Sequence, residues 1–124
     1  SVRDMMESRL NEFVPAYAQA YGARAKLNYM RGYPVTVNSP EQTSFAADTA
    51  ADIVGESAVN REAPPSLGGE DFAYMLQERP GAYILVGQGN TAGLHEDTYD
   101  FNDEVIPFGV SYWVRLVERA MPIG

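Results

Sequence analysis

Ala82-Tyr83-Ile84-Leu85-Val86-Gly87 is a short, unbroken apolar run set between Arg79-Pro80-Gly81 and Gln88-Gly89-Asn90. An apolar run of this length, bounded by turn residues, reads as a strand buried on both faces. A strand covered on both faces requires layers of structure on either side of a sheet.

The segments before it fit that picture. Residues 70–78 form a helical pattern that turns Phe72, Met75 and Leu76 inward and stops at Arg79-Pro80. Residues 58–62 read as a short strand closed by Pro64-Pro65. Ser39-Pro40-Glu41-Gln42 is a strong helix start, with Ser39 as cap, Pro40 pre-set for the first position and Gln42 completing a capping box. Phe45, Ala46, Thr49, Ala50, Ile53 and Val54 supply that helix with an apolar stripe, and Gly55 ends it. Further back, Ala25, Leu27 and Tyr29 alternate with Arg24, Lys26 and Asn28, as in a strand with one wet face. Gly32-Tyr33-Pro34 breaks this alternation, and residues 35–38 read as a short extended continuation. The chain opens with an amphipathic helix over residues 2–21, where Pro15 predicts a kink or local break and Gly22 a stop. It begins at Ser1 without methionine and with no room for a preceding cap, which processing or truncation would explain.

After the central run, residues 88–101 form a long, acidic, irregular connection. Asn102 then caps a last helix to about residue 121, with Pro107 near its start and Tyr112, Trp113, Leu116 and Val117 predicted inside. Helix and strand alternate throughout, so the expected class is layered α/β, with a boundary near residues 32–38.

Composition narrows the function. A net charge of −8 and a pI near 4.5 oppose a duplex nucleic acid partner, which needs clustered Lys and Arg. No apolar run is long enough to span a membrane and no signal peptide is visible, so the expected location is cytoplasmic. With no cysteine, neither a disulfide nor a thiolate metal site can be built from these residues.

Two segments could carry chemistry. Ser66-Leu67-Gly68-Gly69-Glu70-Asp71-Phe72 places a glycine pair where a helix opens. Free N–H groups there attract anions such as a substrate carboxylate, although a plain turn with acids complementing the helix dipole is the simpler local reading. Gly93-Leu94-His95-Glu96-Asp97-Thr98-Tyr99-Asp100 holds the only histidine, beside several carboxylates, after the central run. Imidazole is a good ligand for zinc and related metals, whereas a lone histidine among acids is more often simply solvated. A hydrolytic zinc site takes three or more protein ligands, so one histidine and no cysteine cannot complete it without carboxylates or further chain. The spacing of Asp48 and Asp52 reads as a solvated helix face, and the pairs Met5–Met6, Tyr17–Tyr21 and Tyr112–Trp113 as core.

Several dispersed motifs, in one order, carry a resemblance. Gly68-Gly69-Glu70-Asp71-Phe72-Ala73-Tyr74, Gly93-Leu94-His95 with Tyr99-Asp100-Phe101-Asn102-Asp103, Ser111-Tyr112-Trp113-Val114, and Arg31-Gly32-Tyr33-Pro34 with Thr36-Val37-Asn38 resemble the metal-dependent aminoacylases and amidohydrolases. These include hippurate hydrolase, N-acyl-amino-acid amidohydrolase and the auxin-conjugate hydrolases. The resemblance implies the C-terminal portion of a two-domain enzyme. Residues 1–33 would be the last helix and strand of an inserted α+β dimerisation (lid) domain. Residues 34–124 would return to a three-layer α/β/α metallo-exopeptidase-like catalytic domain. It further implies a pair of divalent metals (Zn, Mn, Co or Ni) with His95 as one ligand, and the other ligands and the general base upstream. Metal-activated water would attack the amide of an N-acyl amino acid, with Gly68, Gly69 and Glu70 near the substrate. A homo-oligomer is expected, and this portion alone should be inactive and prone to self-association. Glu96-Asp97 stand where the family usually has Asn-Pro, and Gly69 where it has Ser. The alternative is a self-standing, non-catalytic α/β binding or interaction module, and the coding sequence upstream of Ser1 separates the two.

Overall fold

The computed structural model describes residues 1–123. Its elements are α1 (Val2–Ala20), α2 (Pro40–Val54), a 3-10 turn (Glu56–Ala58), α3 (Phe72–Glu78), a second 3-10 turn (Asp103–Val105) and α4 (Ile106–Ala120). They fall into two compact units, Ser1–Gly32 and Tyr33–Gly124.

In the first unit, Ser1 is itself the N-terminal cap of α1. Its hydroxyl accepts from the Asp4 amide at 3.3 Å, and Asp4 reaches back to complete a capping box. The terminal ammonium, the Ser1 hydroxyl and Arg31 together hold the Asp4 carboxyl far below the usual carboxylate range. Arg31 pairs with Asp4 at 2.8 Å and with Glu7, which ties residues after the helix back to its first turns. Pro15 does not break α1; the remaining i to i−4 bonds carry the helix through it. No residue of α1 is buried, so Met5, Met6 and Tyr17 are exposed rather than core. Phe13, Tyr17 and Tyr21 instead form a ladder along the helix, with ring centroids 5.5 and 5.2 Å apart.

In the second unit, α2 packs on α4. Ala46, Thr49 and Tyr112 are buried there, and the Thr49 hydroxyl, fully buried, donates to the Phe45 carbonyl at 2.8 Å. Small residues on α2 allow this closeness. At the rim, Arg115 and Arg119 both donate to Asp52 at 3.1 Å, and Arg119 lies over the Phe45 ring. Asp48 likewise pairs with Arg61 at 2.8 Å, so the two acids are bridging groups and not merely a solvated face. Helix α3 buries Ala73.

Two expectations need correcting. Among the described residues there is no strand, so the α/β layering is present only in its helices. A strand exists only where its N–H and C=O groups pair with another backbone. At the central run the pairing comes from side chains instead. Asn38 donates from Nδ2 to the Tyr83 carbonyl and accepts the Tyr83 N–H at Oδ1, both at 2.8 Å. Next to it, the Ser39 N–H donates to the Gly81 carbonyl, while the Ser39 hydroxyl accepts the Gly81 N–H. Ser39 is therefore spent on Gly81 and makes no side-chain cap for α2. The second correction concerns burial. Leu85 is 79% exposed, and Val86, Val54, Met75, Trp113 and Val117 are exposed as well. Periodicity marks which side chains are apolar, whereas burial also needs a facing element, and none covers these among the described residues.

Candidate functional site

His95 stands in a turn closed by the Glu96 N–H donating to the Gly93 carbonyl at 3.2 Å. Its φ is +69°, and it is the one non-glycine residue with positive φ among the described residues. The left-handed region puts Cβ against the following carbonyl, and residues held there cluster at functional sites. Glu96 folds back so closely that a Cβ on Gly93 would lie 2.9 Å from its Oε1, so a side chain at position 93 would displace the Glu96 carboxylate. The imidazole is exposed.

The loop carrying His95 is pinned at both ends by Gln88. Its Nε2 donates to the Thr91 hydroxyl at 2.8 Å, and its Oε1 accepts from the Tyr99 hydroxyl and the Asn102 N–H. The Gln88 carbonyl accepts from Asn102 Nδ2 at 3.1 Å, and Asn102 Oδ1 also accepts the Glu104 N–H, starting the turn into α4. Sequence reading missed Gln88 altogether. The only signal is one polar residue at the end of an apolar run, a position that ordinarily carries no chemistry.

The glycine turn is arranged differently from the expectation of free N–H groups. Helix α3 starts at Phe72, and its first amides have acceptors from the same chain. The Phe72 N–H donates to Glu70 Oε1, the Ala73 N–H to the Glu70 carbonyl and the Tyr74 N–H to the Asp71 carbonyl. The bond from Phe72 is the main cause that holds Glu70 below the ordinary carboxylate range, followed by Asp71 and Tyr83. Tyr83 is shifted upward in return by the Glu70 carboxylate. Gly69 is approached by the Tyr33 ring, and Tyr33 meets Tyr74 edge-on with centroids 6.1 Å apart.

Whether these residues could hold a metal by themselves is decided by donor number. No group of three or more His, Cys, Asp or Glu side chains is gathered for an ion among the described residues. His95 offers one donor, and a hydrolytic centre takes about three from protein. The described residues therefore do not compose such a centre by themselves. No helix among them is long and apolar enough to cross a membrane.

Residues 6–119 match the family described as Peptidase family M20/M25/M40, and the chain belongs to that family. It is 29% identical over 114 residues to a hippurate hydrolase of Campylobacter jejuni, covering 92% of this chain and 30% of the relative. It is 25% identical over 122 residues to an N-acetyldiaminopimelate deacetylase of Pediococcus pentosaceus, covering 97% and 31%. It is also 34% identical over 91 residues to thermostable carboxypeptidase 2 of Saccharolobus solfataricus, covering 73% and 22%. The chain thus spans less than a third of the length of these relatives. No solved structure matches it.

Proposed function

We propose that the chain is the C-terminal portion of a metal-dependent hydrolase that cleaves the amide bond of N-acyl amino acids. Within it, residues 1–33 belong to a lid or dimerisation domain and residues 34–124 to a three-layer catalytic domain. The observation that carries the reading is the family match over residues 6–119, within which His95 alone among the described non-glycine residues takes a left-handed backbone. His95 provides one ligand to a divalent metal centre, a pair of Zn, Mn, Co or Ni ions. The metal supplies an activated water for attack on the amide carbonyl. The residues of this chain act around that step. The turn from Gly93 to Glu96 aims the imidazole, Gln88 keeps the loop closed, and Gly68, Gly69 and Glu70 line the substrate end of the cleft. The names of two relatives, a hippurate hydrolase and a deacetylase, support an N-acyl amino acid, whereas that of a third, a carboxypeptidase, points to a peptide.

The test is hydrolysis of N-benzoylglycine and N-acetyl amino acids by the full-length protein loaded with zinc or manganese, before and after His95→Ala. The expected result is release of free amino acid, lost by at least about a hundredfold in the variant, with bound metal reduced in parallel. Undiminished hydrolysis and metal content in His95→Ala would overturn the assignment.

A further inference from the structure

His95 lies in the first of two turns that share a residue. The Glu96 N–H closes the first on the Gly93 carbonyl at 3.2 Å, and the Glu96 carbonyl accepts the Tyr99 N–H at 3.1 Å to close the second. His95 is the third residue of the first turn and has a φ of +69°, as in a type II turn, where glycine is the usual occupant. A residue held in this region persists only where the surrounding structure over-determines it. Residues 93–99 are all exposed, so burial of side chains does not supply that constraint.

The Tyr99 side chain leads from these turns to a fixed anchor. Its hydroxyl donates to Gln88 Oε1 at 3.2 Å, and the same oxygen accepts the Asn102 N–H at 3.3 Å. Gln88 is held in turn by Thr91, whose hydroxyl accepts from Nε2 at 2.8 Å, and by Asn102, whose Nδ2 donates to the Gln88 carbonyl at 3.1 Å. The anchor therefore takes in residues on both sides of the histidine turn. Tyr99 joins the second turn to it, and Glu96 joins the second turn to the first.

We propose that Tyr99 is a positioning residue for His95, its phenol setting the left-handed turn, and with it the direction of the imidazole, through Gln88. The consequence for hydrolysis rests on the reading of His95 as a metal ligand. A ligand already held in one direction binds its ion without first ordering its loop. Loss of the phenol oxygen keeps the imidazole as a donor and restores that ordering cost, so metal affinity falls while the donor set is unchanged.

The experiment compares the full-length protein with Tyr99→Phe, a change of one oxygen. In the metal-free proteins, hydrogen exchange of the 93–99 segment, read by mass spectrometry, should quicken about fivefold or more in the variant, while the thermal midpoint hardly moves. Zinc affinity, from competition with a chelator, should fall about tenfold, with His95→Ala setting the scale for loss of the ligand itself. In a Gln88→Ala background, Tyr99→Phe should change neither quantity further, because both substitutions break the same bond. Unchanged exchange in Tyr99→Phe overturns the inference. So does unchanged zinc affinity where His95→Ala lowers it, or a full effect of Tyr99→Phe in the absence of Gln88. The ligand reading is scored separately. Unchanged zinc affinity in His95→Ala removes that reading, and exchange in the metal-free protein then decides between a Tyr99 that sets the turn and one that does not.

Discussion

Asn38 engages both polar backbone groups of Tyr83 at 2.8 Å, doing with one carboxamide what a neighbouring strand does with its backbone. The two residues lie 45 positions apart in the chain. The bond pair joins the segment leading into α2 to the segment that follows α3.

Replacing Asn38 with Ala leaves the Tyr83 N–H and C=O without these partners. The expected cost is about 1–2 kcal/mol, read as a lower urea midpoint. Asn38→Asp keeps the acceptor and loses the donor, so it should fall between the two.

His95→Gly is expected to make the chain more stable by about 1 kcal/mol, because glycine adopts a φ of +69° without steric cost. The same substitution in the full-length protein should abolish hydrolysis. A variant that is both less stable and fully active would show that the left-handed turn is not a strained functional feature.

Gln88→Ala removes the clasp across the 88–102 loop. Amide exchange at Thr91, Tyr99 and Asn102 should quicken, with global stability falling by only about 1 kcal/mol. If exchange in the loop stays slow, some other contact closes it.

Asp52→Asn weakens the charge that Arg115 and Arg119 share. Both partners are at the rim of the helix pair, so the loss should be about 0.5–1 kcal/mol and should shrink in high salt. Thermal unfolding at two ionic strengths measures it.

Asp4 is held well below its ordinary value of 3.8 by the terminal ammonium, Ser1 and Arg31. A carboxyl with a depressed folded-state pKa contributes stability above its unfolded value and loses it as pH falls towards the folded one. The helical signal of residues 2–20 should therefore survive to pH 4 and decline only below it. Asp4→Asn should remove this dependence, as followed by circular dichroism.

The helices were legible because their determinants are local. Pro40, Gly55, Asn102 and the spacing of apolar residues predict α2 and α4 to within a few residues, and the structure starts α3 two residues later than expected, at Phe72. Their covered faces were less legible. Trp113 and Val117 share an exposed apolar stripe, with Trp113 edge-on to the ring of Tyr112, which is itself buried. The central run failed as a strand for a related reason, since an apolar pattern cannot supply the partner whose backbone it would pair with. Gln88 could not be found at all, because glutamine after an apolar run has no distinguishing pattern until both ends of the loop are in place.

By itself the sequence determined where the helices run and which dispersed segments carry the family resemblance, since caps, breakers and motifs act over a few neighbouring residues. Only the tertiary structure decided that Asn38 pairs with Tyr83, that Gln88 closes the histidine loop, that Tyr33 covers Gly69 and that His95 sits in a left-handed turn. The first three are contacts between residues distant along the chain. The last is a backbone state that histidine does not prefer and that the surrounding turn imposes.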